Sequence, residues 1–213
     1  MIAIFRYLTL KTRRDGSLWG FLLLPMFCPA AGLIGASIAS RQFRYPLFMN
    51  VQYTAVANAN FTAGLATAAV VLLSSILAFW SFRPEIASRS AASLLFAARP
   101  VTIISTVILF ATSIAAISWS GAIVVIRLLT AAMPTNLWLS ALQAVSATLA
   151  LSAAGVLLLM ISSQPAMVIG SYAFGLVFLV MEKRPAAQIA LGLAMAIVCT
   201  SIATFLLERR CAT

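Results

Sequence analysis

The chain has 213 residues, of which 63% are hydrophobic and only 8% charged, and it carries a formal net charge of +10 with no histidine. Soluble domains carry roughly 25% charged and 45–50% apolar residues, so no soluble fold of this size hides so much apolar surface. The composition predicts one all-α, polytopic transmembrane domain over residues 1–213. The apolar runs are continuous rather than alternating, which argues against a β-barrel.

Residues 1–16 set apolar Ile2, Ile4, Phe5, Leu8 and Leu10 against basic Arg6, Lys11, Arg13 and Arg14. That pattern suits an interfacial helix leading into a span. A signal peptide is the alternative, since Ala36-Ser37-Ile38-Ala39 loosely resembles a cleavage site. The apolar run from Leu18 to Ala39 is, however, longer than the roughly 7–15 residues of a signal core. The first expected span is 18–39, and Pro25 and Pro29 predict a kink in it. Residues 40–58 are polar and aromatic, with Tyr45, Phe48 and Tyr53 suited to the far interface. The second span is 61–82. A charged amphipathic connector follows at 83–99, holding Arg83, Glu85, Arg89 and Arg99. Four further spans are expected at 101–123, 137–161, 166–181 and 186–207, giving about six.

An even number of crossings places both termini on one side. That side would hold nine of the 14 Lys and Arg residues. The excess predicts cytoplasmic termini, although Lys183 and Arg184 oppose it. The basic residues sit at the ends of apolar runs, where they meet lipid headgroups, so the charge is not a nucleic-acid signal.

Without histidine the chain lacks the commonest general base and metal ligand. Asp15, Glu85, Glu182 and Glu208 are its only carboxylate side chains, and all fall at expected span ends or loops. The absence of intramembrane charge argues against ion-coupled transport. There is no GxxxxGK[ST] loop and no G-x-S-x-G elbow, so no catalytic residue, cofactor site or metal site is expected in this chain. Cys28, Cys199 and Cys211 are widely spaced, and nothing in them resembles a metal-ligand pair or a disulfide framework. Span residues such as Ser105, Thr106, Ser113, Ser146, Thr148 and Ser152 read mainly as small packing positions, with a polar substrate track as the alternative.

The order of features resembles the permease subunit of an ABC-2 type ABC transporter. A basic helix (Phe5-Arg6-Tyr7-Leu8…Arg13-Arg14) precedes the first span. The second ends in Phe82-Arg83-Pro84-Glu85-Ile86. Leu94-Leu95-Phe96-Ala97-Ala98-Arg99-Pro100 enters the third, and Leu207-Glu208-Arg209-Arg210 closes the chain. Such permeases carry an F-R-x-E/D … L-L-x-A/x-P pattern in this connector. The layout extends over nearly the whole chain, but the motif is confined to residues 79–102. The resemblance implies a coupling helix that docks on a separate cytoplasmic ABC ATPase, which would hold the ATP and magnesium. Arg83, Glu85, Arg89, Leu94, Leu95 and Arg99 become the implied ATPase contacts. Glu85 and Arg89, four apart, equally suit pairing on a solvated helix face. A second permease copy or homologue, membrane lipid and a bacterial inner (plasma) membrane are implied as well.

Two departures stand out. The chain is short for the family, and the Glu182–Pro185 link is brief where many members carry a re-entrant hairpin. The resemblance implies an ATP-driven exporter working by alternating access. The competing readings are a non-transporting scaffold subunit of a larger complex and a small ATP-independent transporter.

Overall fold

The computed structural model describes residues 1–43, 51–87, 98–161 and 185–212. Among these there is no strand. Six helices are present: α1 (Ile2–Arg14), α2 (Ser17–Phe43), α3 (Val51–Ala87), α4 (Pro100–Thr130), α5 (Leu137–Ile161) and α6 (Pro185–Ala212). The five from α2 to α6 are long and apolar enough to cross a membrane, which makes this an integral membrane protein. The expected span 166–181 lies outside the described residues.

α1 is amphipathic. Ile4, Leu8 and Thr12, each four residues from the next, are buried on one face, while Arg6, Tyr7, Arg13 and Arg14 are exposed. Lys11, Arg13 and Arg14 fill its last turn, where positive charge complements the helix dipole. Gly16 at φ +71° then lets the chain turn sharply into α2, a backbone region that side chains with a Cβ disfavour. Ser17 Oγ closes the corner by donating to the Thr12 carbonyl.

α2 runs as one helix through both Pro25 and Pro29. Each proline withdraws a backbone donor from the preceding turn. In the turn before Pro25, the hydroxyl of Ser118 on α4 donates to the Leu22 carbonyl over 2.9 Å. The bond ties α2 to α4 one residue beyond the Phe21 carbonyl, the one that Pro25 leaves without its N–H partner.

α3 is 37 residues long. At 1.5 Å per residue that is about 55 Å, against a hydrocarbon core of roughly 30 Å. The apolar stretch 61–82 is therefore only its middle. Val51–Asn60 extend it at one end and Arg83–Ala87 at the other, so the first five residues of the connector 83–99 are the last turn of α3. The helix includes Pro84. The proline deprives one backbone carbonyl, that of Trp80, of its usual partner. α4 begins more conventionally, with Arg99 extended at the N-cap and Pro100 at the first position, and ends on Ala131 in the left-handed conformation.

Cross-helix contacts give the directions. Trp119 bonds to Thr67 and Thr135 to Asn60, so α3 and α4 are antiparallel. Gln143 bonds to Gln188, and Ser146 lies against Gly192, so α5 and α6 are parallel. The end of α5 at Ile161 and the start of α6 at Pro185 therefore lie at opposite ends of the bundle.

α5 is the central helix. Ala144, Ala147, Thr148, Ser152 and Gly155 are buried along it, and these small residues allow close approach of its neighbours. Several span hydroxyls bond back to their own helix, as Thr148 does to Ala144 and Ser75 to Val71, which fits a packing role. α2 and α6 form the rim, where Phe27, Ile34, Ile197 and Phe205 are exposed. Cys28 and Cys199 are free thiols.

Candidate functional site

Two regions combine polar groups with helices that run the length of the bundle. The first is the end where α3 finishes and α4 begins. Arg83 is half-buried near the end of α3, and Arg99 is exposed at the N-cap of α4. Glu85 lies in α3, with its side chain outside the description. Arg89, Leu94 and Leu95 lie outside the described residues. α1 packs here as well. Its Lys11 Nζ donates to the Ser81 carbonyl over 3.1 Å, and its Phe5 ring meets Phe110 edge-on at 5.4 Å. Arg6, Arg13, Arg14 and Arg209 are exposed at the same end. At the opposite end, the described basic side chain is Arg127. Ile2 and Leu10 are exposed beside Arg6 on α1, leaving an open apolar surface along that helix.

The second region is a cleft at the opposite end, between α3, α5, α6 and the turn joining α4 to α5. Its volume is about 380 Å³. The polar wall consists of Asn60, Thr67, Thr135, Ser140, Gln143 and Gln188. Ala63, Gly64, Ala68, Val71, Pro134 and Ala147 lie among them, and none of these described lining residues has an ionisable side chain.

The wall is held by bonds between elements. Asn60 Oδ1 accepts from the Thr135 backbone N–H at 2.8 Å and from the Thr135 hydroxyl at 3.1 Å. Gln143 Nε2 donates to Gln188 Oε1, joining α5 to α6. Trp119 Nε1 donates to Thr67 Oγ1 at 3.1 Å from behind the wall. Val71 and Ala147 are buried at the inner limit. Deeper along the same two helices, the hydroxyls of Ser74 and Ser152 are buried with no hydrogen-bond partner among the described residues.

The structure thus separates a basic end, where the sequence placed its candidates, from a neutral polar cleft that sequence reasoning missed. Gln143 and Gln188 were the available signal. Each is an amide inside an otherwise apolar run, and a polar side chain there calls for a partner. Among the described residues, no group of three or more His, Cys, Asp or Glu side chains is placed to hold a metal ion. The chain matches no protein family, no curated protein and no solved structure.

Proposed function

We propose that the chain is the membrane-spanning permease subunit of an ATP-driven exporter of the ABC-2 type, working with a separate cytoplasmic ATPase. The observation that carries this reading is the continuity of α3. One unbroken helix joins Arg83, at the start of the charged connector, to Asn60 on the wall of the cleft. α4 does the same from Arg99 to the turn that carries Thr135. A push on the connector would tilt both helices as rigid bodies and change the cleft at their far ends. The Lys11–Ser81 bond ties α1 into the same movement.

In this reading the basic end faces the cytoplasm of a bacterial cell, in keeping with the positive-inside rule. α1 lies at the inner-membrane surface, with Ile2 and Leu10 toward acyl chains and Arg6, Arg13 and Arg14 toward headgroups. Arg83, Glu85, Arg89, Leu94, Leu95 and Arg99 contact the ATPase, which holds ATP and magnesium. A second permease copy completes the transporter.

The test is affinity purification in mild detergent of wild type beside the double variant Glu85→Ala/Arg89→Ala, with partners identified by mass spectrometry. The reading expects a P-loop ATPase with the wild type and less of it with an equally folded variant. Recovery of redox or secretion subunits without an ATPase would replace it with the scaffold reading.

A further inference from the structure

We propose that the cleft between α3, α5 and α6 is a binding site for a small, neutral, multiply hydroxylated molecule of about monosaccharide size. This rests on the cleft alone and does not depend on the ATPase reading.

Size comes first. A volume of about 380 Å³ falls within the range of small-molecule sites, near its lower end. Charge comes next. Among the described residues no lining side chain ionises, so a charged ligand would lose its hydration without gaining a counter-charge from them. A wholly apolar ligand would match the Ala, Val and Pro side of the cleft but cover the Asn60 and Gln143 amides without bonding to them, so the ligand needs polar groups of its own.

The hydrogen-bonding groups point to the class. Primary amides and hydroxyls both donate and accept, and a polyol offers the same mixture in return. Thr135 engages Asn60 through its oxygen, which leaves the Asn60 NH2 group as a donor on the wall. Gln143 uses one amide hydrogen on Gln188, and its nitrogen carries a second. The wall is also held in place, since each of these residues is bonded across elements.

The buried hydroxyls of Ser74 and Ser152 add an independent observation. They lie three residues beyond Val71 and five beyond Ala147, on the two helices that limit the cleft. Unsatisfied hydroxyls at such depth are costly in a packed bundle. They would be satisfied in a state where Val71 and Ala147 part and a hydroxylated ligand moves inward.

Trp119 supplies the readout. It is the buried tryptophan, 8% exposed against 55% or more for Trp19, Trp80 and Trp138, and its indole bonds to Thr67 of the cleft. The full chain in detergent is titrated with xylitol and glucose, and with gluconate and glucose 6-phosphate as charged counterparts. The expected result is a saturable change in emission with a neutral compound and none with the charged ones. Gln143→Leu and Asn60→Leu should each weaken the response roughly tenfold, the order expected for a lost hydrogen bond, with helix content unchanged.

If neither neutral compound gives a saturable change, or the charged compounds act equally, or the response persists in folded variants, the proposal is overturned and the cleft is an aqueous vestibule only. Should both variants fail to fold, the neutral-against-charged comparison on wild type decides. No ATPase is present in this assay, so its result and that of the affinity purification stand or fall separately.

Discussion

The ammonium of Lys11 bonds to the backbone carbonyl of Ser81 across 70 positions of sequence, at 3.1 Å. The helix that looks most independent of the bundle is thereby attached to the last apolar turns of α3. A side chain that donates to a backbone carbonyl holds position without depending on its partner's identity. Lys11→Met keeps the stem and removes the donor. We expect it to loosen α1 by about 1 kcal/mol, below the 1.5–3 kcal/mol of a fully buried charged bond because Lys11 is only half-buried. Hydrogen exchange should then quicken in Ile2–Arg14 and stay unchanged in α5. Unaltered exchange in α1 would show that Ile4 and Leu8 alone hold it.

Ser118 plays the corresponding part for α2. Ser118→Ala leaves the Leu22 carbonyl without its cross-helix donor in a turn already weakened by Pro25. A loss of about 0.6–1.5 kcal/mol is expected, typical of bonds between membrane helices. Unfolding in mixed detergent would measure it, and a variant as stable as wild type would contradict the assigned role.

Two glycines separate close backbone packing from mere crowding. A Cβ on Gly192 would stand 3.1 Å from the Ser146 backbone oxygen, whereas one on Gly121 would meet the terminal methyl of Met26 at 2.5 Å. The methionine can swing away, but the α5 backbone cannot. Gly192→Ala should therefore destabilise more than Gly121→Ala despite the longer distance. A cost of about 1–3 kcal/mol is expected for Gly192→Val, within the range for overpacking. The same detergent titration ranks the variants, and the reverse order would refute the explanation.

Ala131 caps α4 at φ 53°, where a Cβ is unfavourable. Ala131→Gly should stabilise the protein by about 1 kcal/mol by relieving that strain. A thermal melt in detergent checks the sign. A lowered midpoint would mean that glycine's freedom in the unfolded chain outweighs the relief.

Much of the helical layout was legible because hydrophobic length is a direct record of membrane crossing. α5 begins and ends where the apolar run 137–161 does, bounded at its start by Pro134 and Asn136. α3 was harder to delimit. The backbone of Val51–Asn60 contains no proline or glycine, so its helix does not stop where its apolarity stops. The connector expected at 83–99 begins inside that helix, which carries Pro84 in its last turn. Of the residues singled out in the connector, Arg83 lies near the end of α3 and Arg99 caps α4, while Arg89, Leu94 and Leu95 lie outside the described residues. The cleft was not legible. Asn60, Gln143 and Gln188 come from three different helices, carry no charge and form no motif, so only packing brings them together.

The parallel pairing of α5 and α6 also bears on how the protein is made. Antiparallel neighbours such as α3 and α4 can associate as a hairpin as soon as both have left the ribosome. Gln143 must wait for Gln188, 45 residues later, and the two strands of the chain enter the bilayer in the same direction. The wall of the cleft therefore forms only after α6 has been made. A nascent chain halted before α6 would hold Asn60 and Thr135 together but would leave the Gln143 amide without its Gln188 partner.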